Sequence, residues 1–344
     1  MAQIDDDLMT WDDVRGLKNW SGIFIGNGAS VAVWQNFNYG SLFNQAKNLN
    51  DEDKRLSNED LLLFEEQDTH NFEQVLGDLA TARNVCRILG KPHDEIDARY
   101  RSIQVALFEA VKSIHVSWEE CESAGVLTKL GTYFKSMKRV FSTNYDLLLY
   151  WSLMHVNANP LDFFFGEGLT FDAAETDVYS REDRTQVFYL HGSVHIFKDR
   201  YGQTSKIASS RDSVGRSLLD ILQQFQDRER IPLFVAEGNW KEKMATIRGS
   251  SYLTFCRQKF GTYRGPLVVF GNSLSQQDSH ILTVLQKKRE RSIAFGVYPH
   301  QDPHDIIDFK TRMHGTLTRQ GQGQLLFFDS TTHPIGDTTL QIPS

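Results

Sequence analysis

Six short apolar runs, each bounded by glycine, serine, asparagine or aspartate, mark the strand-forming segments of the chain. They cover residues 22–26, 139–142, 187–191, 267–271, 293–297 and 325–328. Apolarity within these runs is continuous rather than alternating, which is typical of strands that are covered on both faces. The pattern therefore predicts an α/β fold with a mostly parallel sheet and helices on both of its faces.

The segment between the first two runs is far longer than one crossover between parallel strands requires. Apolar residues recur there at helical spacing, first around Phe72 and later around Ile103. We expect a large helical insertion over residues 51–135, broken at residues 90–92. Two roles fit this pattern: an ordinary helical layer packed on the sheet, or an element that mediates self-association or shields a cleft.

A second, irregular insertion is expected over residues 197–266. It contains a hairpin signal around residues 199–202 and the apolar spacing of a helix around residues 218–225. No internal repeat or low-complexity segment divides the chain. We therefore expect a single domain over residues 1–344 that carries both insertions.

Charge and cysteine content narrow the environment and the partners. The 344 residues include 37 basic and 44 acidic side chains, a formal net charge of −7, so no direct nucleic-acid binding is expected. Three widely separated cysteines fit neither a disulfide framework nor a paired-cysteine zinc site. The first residues are acidic, unlike a signal peptide, and no apolar run reaches membrane-spanning length. We expect a cytoplasmic protein with no membrane association.

Glycines follow the first strand, in the sequence Gly26, Asn27, Gly28, Ala29, Ser30. A strand that ends at Gly26 and a helix that begins near Ser30 would let main-chain N–H groups approach a phosphate. However, Val31 stands where the dehydrogenase fingerprint has its third glycine. The alternative is a plain turn between strand and helix, in which the glycines only relieve steric crowding.

Polar residues also follow the second strand, in the order Thr143, Asn144, Tyr145, Asp146. The carboxyl ends of parallel strands are where open α/β sheets bind ligands, so these side chains are candidates for a binding site. Helix capping is the alternative, because Asn144 or Asp146 could instead satisfy free amides of the next helix.

The third run ends in His191, a candidate general base because the ordinary pKa of histidine lies near neutrality. A purely structural, hydrogen-bonded histidine is the alternative. His195 raises the question of a metal, but its flanks offer no third ligand, and we expect no zinc.

After the fourth run come Gly271, Asn272 and Ser273, small and polar residues that suit close contact with a ribose or a phosphate. Ser275 and Asp278 match a capping box, which predicts a helix opened by Ser275 and accounts for Asp278 structurally.

The four motifs GNGAS, STNYD, LHGS and FGNSLS occur in this order, each after an apolar strand, and together they resemble the sirtuin superfamily in its sirtuin-like prokaryotic branch. The resemblance implies a Rossmann-like, sirtuin-like core that binds NAD. Asn144, His191 and Asp146 would be the catalytic residues. The implied NAD-binding residues are Gly26, Asn27, Gly28, Ala29, Ser30, Thr143, Gly271, Asn272 and Ser273.

Two departures from the sirtuin deacetylases affect the expected substrate. The region after His191 contains only Cys256 instead of four zinc-binding cysteines, and the long loop of deacetylases is replaced by FNYGSLF. Sirtuin-like proteins of bacterial anti-phage defence share these departures and typically hydrolyse NAD. The resemblance thus implies an NAD glycohydrolase (NADase) that acts as an effector of antiviral defence.

Other functions and several partners stay open at this point. A non-catalytic sensor of NAD or ADP-ribose is one alternative, and a protein deacylase or ADP-ribosyltransferase is another. A free NADase would drain an essential cofactor, so we expect restraint through a homo-oligomer and through a partner such as a HerA-type ATPase. Asn144 and His191 should lie at the ends of adjacent strands, where alanine substitutions would cost only about 1 kcal/mol of stability.

Overall fold

The computed structural model describes residues 4–176, 183–199, 201–208, 218, 219, 222, 230–236, 240–287, 290–317 and 323–343. Its strands are β1 (Gly22–Ile25), β2 (Arg139–Ser142), β3 (Gln186–Tyr189), β4 (Gly192–Asp199), β5 (Thr204–Lys206), β6 (Arg230–Phe234), β7 (Leu267–Phe270), β8 (Ile293–Val297) and β9 (Leu325–Asp329). Its α-helices are α1 (Trp11–Arg15), α2 (Asn27–Val33), α3 (Tyr39–Lys47), α4 (Asn58–Glu66), α5 (Phe72–Ile88), α6 (Asp94–Ser113), α7 (Trp118–Ser123), α8 (Val126–Ser136), α9 (Leu148–His155), α10 (Trp240–Arg248), α11 (Ser251–Thr262), α12 (Ser279–Lys287) and α13 (Pro303–Leu317).

The six apolar runs form one parallel, six-stranded sheet in the order β3-β2-β1-β7-β8-β9, flanked by helices. This confirms the α/β, Rossmann-like architecture. The chain fills one half of the sheet outward from β1 and then returns to β7, on the other side of β1. Strand order reverses between β1 and β7, and open α/β sheets bind ligands at such a switch point.

The strands end at the same level. Ile25 of β1 pairs with Ser142 of β2 and with Phe270 of β7, while Ser142 pairs with Tyr189 of β3. Residues that follow these four strands therefore emerge side by side along one edge of the sheet. His191 lies two residues beyond the end of β3, in the turn to β4, rather than within the strand as its apolar run predicted.

Between β1 and β2 the chain is helical, as predicted, and the break at residues 90–92 separates α5 from α6. Gly90 has a φ of +63°, a backbone conformation that ends α5 at little cost only for glycine. The insertion packs against the rest of the protein, since the ring of Phe108 contacts Phe197 of β4 and Phe234 of β6. One continuous hydrophobic core contains both the insertion and the sheet.

A second, antiparallel sheet of order β5-β4-β6 follows β3. The predicted hairpin joins β4 to β5, and Gly202 turns it with a φ of +85°. The helix predicted around residues 218–225 lies largely outside the described residues. In the described part of the chain, no helix has both the length and the apolarity needed to cross a membrane.

Candidate active site

A cleft with a volume of about 400 Å³ opens at the carboxyl ends of β1, β2, β3 and β7. Most of the predicted site residues line it: Asn27, Gly28, Thr143, Asn144, His191, Gly271, Asn272 and Ser273. Ala29, Ser30 and Asp146 instead line an adjoining cavity of about 10 Å³, which Asn144 also borders. Gly26 lines neither cavity. The structure thus brings together residues from four distant segments at the switch point of the sheet.

The glycines after β1 and β7 hold two turns against each other. The N–H of Gly28 donates to the carbonyl oxygen of Gly271 across 2.8 Å, so this amide is already paired. A Cβ on Gly28 would lie 2.7 Å from the Cα of Gly271, and one on Gly271 would lie 2.2 Å from the nitrogen of Ala29. Steric crowding therefore explains both glycines. The helix begins at Asn27, immediately after β1, and not near Ser30 as predicted.

Asn144, which lines both the cleft and the adjoining cavity, carries one unpaired acceptor. Its Nδ2 donates to Ser30 Oγ across 2.7 Å, and its backbone N–H donates to Ser142 Oγ across 3.0 Å. Its Oδ1 is buried and has no hydrogen-bond partner. Because an unsatisfied buried acceptor costs about 1–3 kcal/mol, such an atom is commonly one that a ligand or water completes.

Asp146 lies behind Ser30 and away from the open cleft. Its Oδ1 accepts the N–H of Leu148, the first residue of α9, and its Oδ2 accepts the hydroxyl of Ser30. The capping role considered for Asn144 or Asp146 therefore belongs to Asp146. Ser30 also accepts from Asn144, so the three side chains form one hydrogen-bonded chain that fixes the Asn144 amide.

His191 is paired with a second histidine, His280 of α12. Their Nε2 atoms lie 2.8 Å apart, and both side chains are buried. Burial, then the positive charge of Lys243, then His280 hold the pKa of His191 well below its usual value. Burial and Lys243 likewise lower the pKa of His280 to about 3. Both imidazoles are therefore neutral at neutral pH.

A buried lysine, which does not itself line the cleft, binds two carboxylates that do. Lys243 of α10 lies 3.0 Å from Glu73 of α5 and 3.0 Å from Asp278, and its side chain is fully buried. Burial alone would lower the pKa of Lys243, but the two carboxylates outweigh it and raise the pKa above its usual value. This ion-paired group joins the insertion to the end of the sheet.

The predicted capping box does not account for the contacts of the Asp278 carboxylate. A 3-10 turn covers Gln276–Asp278, and α12 begins only at Ser279. The Asp278 carboxylate binds Lys243 and also accepts from Asn272 Nδ2 across 3.3 Å. The local pattern of serine and aspartate matched a capping box, but a lysine far away in the sequence determines the contacts of the carboxylate.

Possible metal ligands occur once in the described residues: atoms of His191, Asp278 and His280 all lie within 4.8 Å of one another. The chemistry around them opposes a cation. The positive charge of Lys243, which lowers the pKa of both imidazoles, also repels a metal ion. Lys243 also already neutralises Asp278. His195, considered from the sequence as a ligand, is bonded instead to Ser193.

Sequence reasoning missed several residues of the site. Tyr39, Asn71 and Glu73 come from the first insertion or its flanks and line the cleft. Burial, followed by the charges of Glu73 and Asp278, raises the pKa of Tyr39. His280 and Lys243 complete the set. His280 could have been identified from the sequence, because it is a polar residue on the buried face of α12, which is otherwise apolar and includes Ile281.

A family model described as a domain of unknown function (DUF4917) matches residues 23–335. The match includes the six-stranded sheet, both insertions and every residue described above at the cleft. No curated protein matches the chain.

Proposed function

The chain belongs to the DUF4917 family, and we propose that it binds NAD in the cleft and hydrolyses the bond between nicotinamide and ribose. ADP-ribose and nicotinamide are the products. One observation carries the proposal: buried Asn144, whose Oδ1 has no hydrogen-bond partner, lines a ligand-sized cleft together with a neutral histidine, His191. Together they offer an acceptor for a hydroxyl group and a base for a proton.

In this reaction a water oxygen bonds to C1′ of the ribose while the bond from C1′ to the nicotinamide nitrogen breaks. Nicotinamide leaves as a neutral ring, and the transition state resembles an oxocarbenium ion. Asn144 Oδ1 accepts a hydrogen bond from a ribose hydroxyl or from the incoming water, which positions the reacting groups. His191 accepts the proton that the water loses.

We propose a positioning role for Asp146. Its carboxylate bonds Ser30 and the first turn of α9, and Ser30 in turn bonds Asn144. Asp146 thus acts on the substrate through Ser30 and Asn144, rather than by the direct contact with the nicotinamide carboxamide that the resemblance implied.

The rest of the dinucleotide would lie along the wall built by the turns after β1 and β7. Asn27, Gly28, Gly271 and Ser273 line this wall, and the close packing of the two glycines leaves no side chain to obstruct it. A volume of about 400 Å³ lies within the range of small-molecule and cofactor sites. Its place at the strand-order switch is where dinucleotides bind in open α/β sheets.

A binding module without turnover is the second candidate. The strongly lowered pKa of His191 favours it, because a weak base removes a proton from water slowly. Incubation of the purified chain with NAD, with nicotinamide measured by chromatography, separates the two functions. Release of nicotinamide supports the hydrolase, whereas calorimetric binding of NAD with no release supports the sensor. Loss of an acyl group from an acylated peptide in a parallel assay would favour deacylation.

The same proposal includes restraint by assembly in the cytoplasm and a role in antiviral defence, with a HerA-type ATPase as a candidate partner. Val85, Ile88 and Leu89 at the end of α5 are exposed apolar residues and support self-association through the insertion. Light scattering of the wild type and of Ile88→Glu tests this. We expect an oligomer for the wild type and a smaller particle for the variant. A wild-type monomer, with and without NAD, would contradict self-association.

A further inference from the structure

We propose that His280 is a positioning residue, which holds His191 through their Nε2 atoms and leaves Nδ1 of His191 as the nitrogen that accepts the proton. The inference rests on the proposed hydrolase for its kinetic consequences. The pairing of the two histidines and the location of their protons in the resting protein do not depend on any activity.

The pairing occupies one nitrogen of His191. Nε2 lies 2.8 Å from Nε2 of His280, within hydrogen-bond distance, and the two rings are stacked with centroids 5.0 Å apart. A neutral imidazole has one N–H and one free lone pair. Since Nε2 of His191 is engaged with His280, only Nδ1 is available to exchange a proton with a ligand.

The direction of the shared hydrogen bond decides whether His191 can act as a base. If His191 donates from Nε2 and His280 accepts, Nδ1 of His191 carries a free lone pair and can take a proton. If His280 donates instead, Nδ1 of His191 already carries the only proton of that ring. The proposal requires the first arrangement.

The location of His280 suits it to fix this arrangement. It lies on the buried face of α12 and is 2% exposed, so its ring is held by packing. Nδ1 of His280 has no hydrogen-bond partner. In the first arrangement this nitrogen carries the proton of the neutral His280 ring, while Nε2 accepts the hydrogen bond from His191.

Charged and titratable groups surround the pair from several elements. They are Lys243 on α10, Asp278 before α12, Glu73 on α5, Arg257 on α11 and Tyr39 on α3. His280 itself is one of the groups that lower the pKa of His191, after burial and Lys243. Replacement of His280 by an uncharged residue should therefore move the titration of His191 upward, towards its usual range.

Two substitutions at position 280 separate positioning from packing. We expect His280→Leu to lower kcat for NAD about tenfold to a hundredfold, with KM changed less than about twofold, because a misplaced group costs this much in rate. His280→Gln offers an amide at about the reach of Nε2 and should recover most of kcat. The acid limb of the pH–rate profile should move upward in His280→Leu.

His333→Leu is the matched control. His333 is buried, bonds Tyr133 and the Ile335 amide, and lies outside the cleft. It should lose thermal stability while kcat and the pH profile per folded molecule stay unchanged. If His280→Leu behaves in the same way, with normal kcat and an unmoved acid limb, the positioning role is overturned.

A spectroscopic measurement tests the pair without any turnover. Two-dimensional proton–nitrogen NMR of the ¹⁵N-histidine-labelled chain, with His191 assigned by its loss in His191→Asn, reports which ring nitrogen carries the proton. A proton on Nε2 of His191 supports the proposal, and a proton on Nδ1 overturns it. If the wild type releases no nicotinamide, the proposed hydrolase fails, while this measurement still decides the pairing.

Discussion

The cleft has two walls, which differ in how completely their polar groups are paired. One of them, the strand-end wall, consists of residues that follow the strands of the sheet. There the buried Oδ1 of Asn144 is unpaired, and His191 is neutral and shares a single hydrogen bond with His280. The second wall is formed by Glu73 and Asp278, and both carboxylates bind the buried Lys243, so its charge is compensated. Unsatisfied groups can be completed by a ligand, whereas a fully paired cluster resists change. The contrast indicates that one wall performs chemistry and the other holds the insertion in place.

Loss of the Lys243 charge, which pairs the carboxylates of the second wall, should have the greatest effect on stability. Lys243→Met leaves two partly buried carboxylates without their cation, and the removal of one partner of a fully buried ion pair typically costs about 3–5 kcal/mol, which is the upper limit here. We expect a large drop in the free energy of unfolding, measured by urea denaturation. Lys241→Met, on the exposed side of the same helix, is the control; it loses a contact with the exposed ring of Trp240 and should change the free energy of unfolding by less than about 1 kcal/mol. Equal stability of the two variants would show that the cluster does not fix the insertion.

Substitutions on the strand-end wall should affect turnover instead. Asn144→Ala and His191→Ala should each lower NAD cleavage on the order of a hundredfold or more, through loss of a positioning group or a base. Both side chains are buried and hydrogen-bonded, so a stability cost of about 1–3 kcal/mol replaces the roughly 1 kcal/mol expected from the sequence. Turnover per folded molecule close to that of the wild type would contradict the catalytic assignment.

A substitution where the turns after β1 and β7 meet should have a smaller effect on stability. Gly28→Ala places a Cβ 2.7 Å from the Cα of Gly271, against backbone that cannot move away freely. We expect a loss of about 1–3 kcal/mol, as is usual for an overpacked site. Gly315→Ala, in α13 with no atom within 4 Å of the new Cβ, should be neutral or slightly stabilising because alanine favours helix. Thermal midpoints of both variants check the difference.

The pH dependence of the free energy of unfolding gives the smallest effect per residue. Burial lowers the pKa of His191 and also lowers that of His195, His280 and His333 to about 3, so these side chains stay neutral in the folded protein. The unfolded chain binds protons at these positions below about pH 6.5, so stability falls as pH falls. Each histidine should contribute about 1.4 kcal/mol per pH unit below pH 6.5. Urea denaturation at pH 7.0, 6.0 and 5.0 measures the slope, and replacement of His333 by leucine should reduce it.

The strand-end wall could be predicted from the sequence because its signals are local. An apolar run predicts a buried strand, and the carboxyl ends of neighbouring parallel strands must meet, so the pattern of runs predicts Asn144 and His191 at one cleft. The sequence does not predict which main-chain amides near the cleft are free to bind a ligand. The pairing of Gly28 with Gly271 depends on how closely two distant turns approach each other.

The second wall gave no such signal. Glu73 and Lys243 each look like ordinary charged residues of amphipathic helices, and their contact joins positions that are 170 residues apart. Asp278 had a sufficient local explanation, which hid its true partner. Buried pairs of charges are set by tertiary packing, and a single sequence does not show which distant helices meet.

Incubation of the purified full chain with NAD between pH 6 and pH 8, with nicotinamide and ADP-ribose measured by chromatography, is the direct test of NAD hydrolysis. The account predicts equal amounts of both products and a rate that stays flat over this range, because burial keeps His191 neutral throughout. It also predicts that His191→Ala and Asn144→Ala, folded and able to bind NAD, release almost none. NAD that binds the wild type and remains intact, or variants that cleave it as fast, would contradict the account.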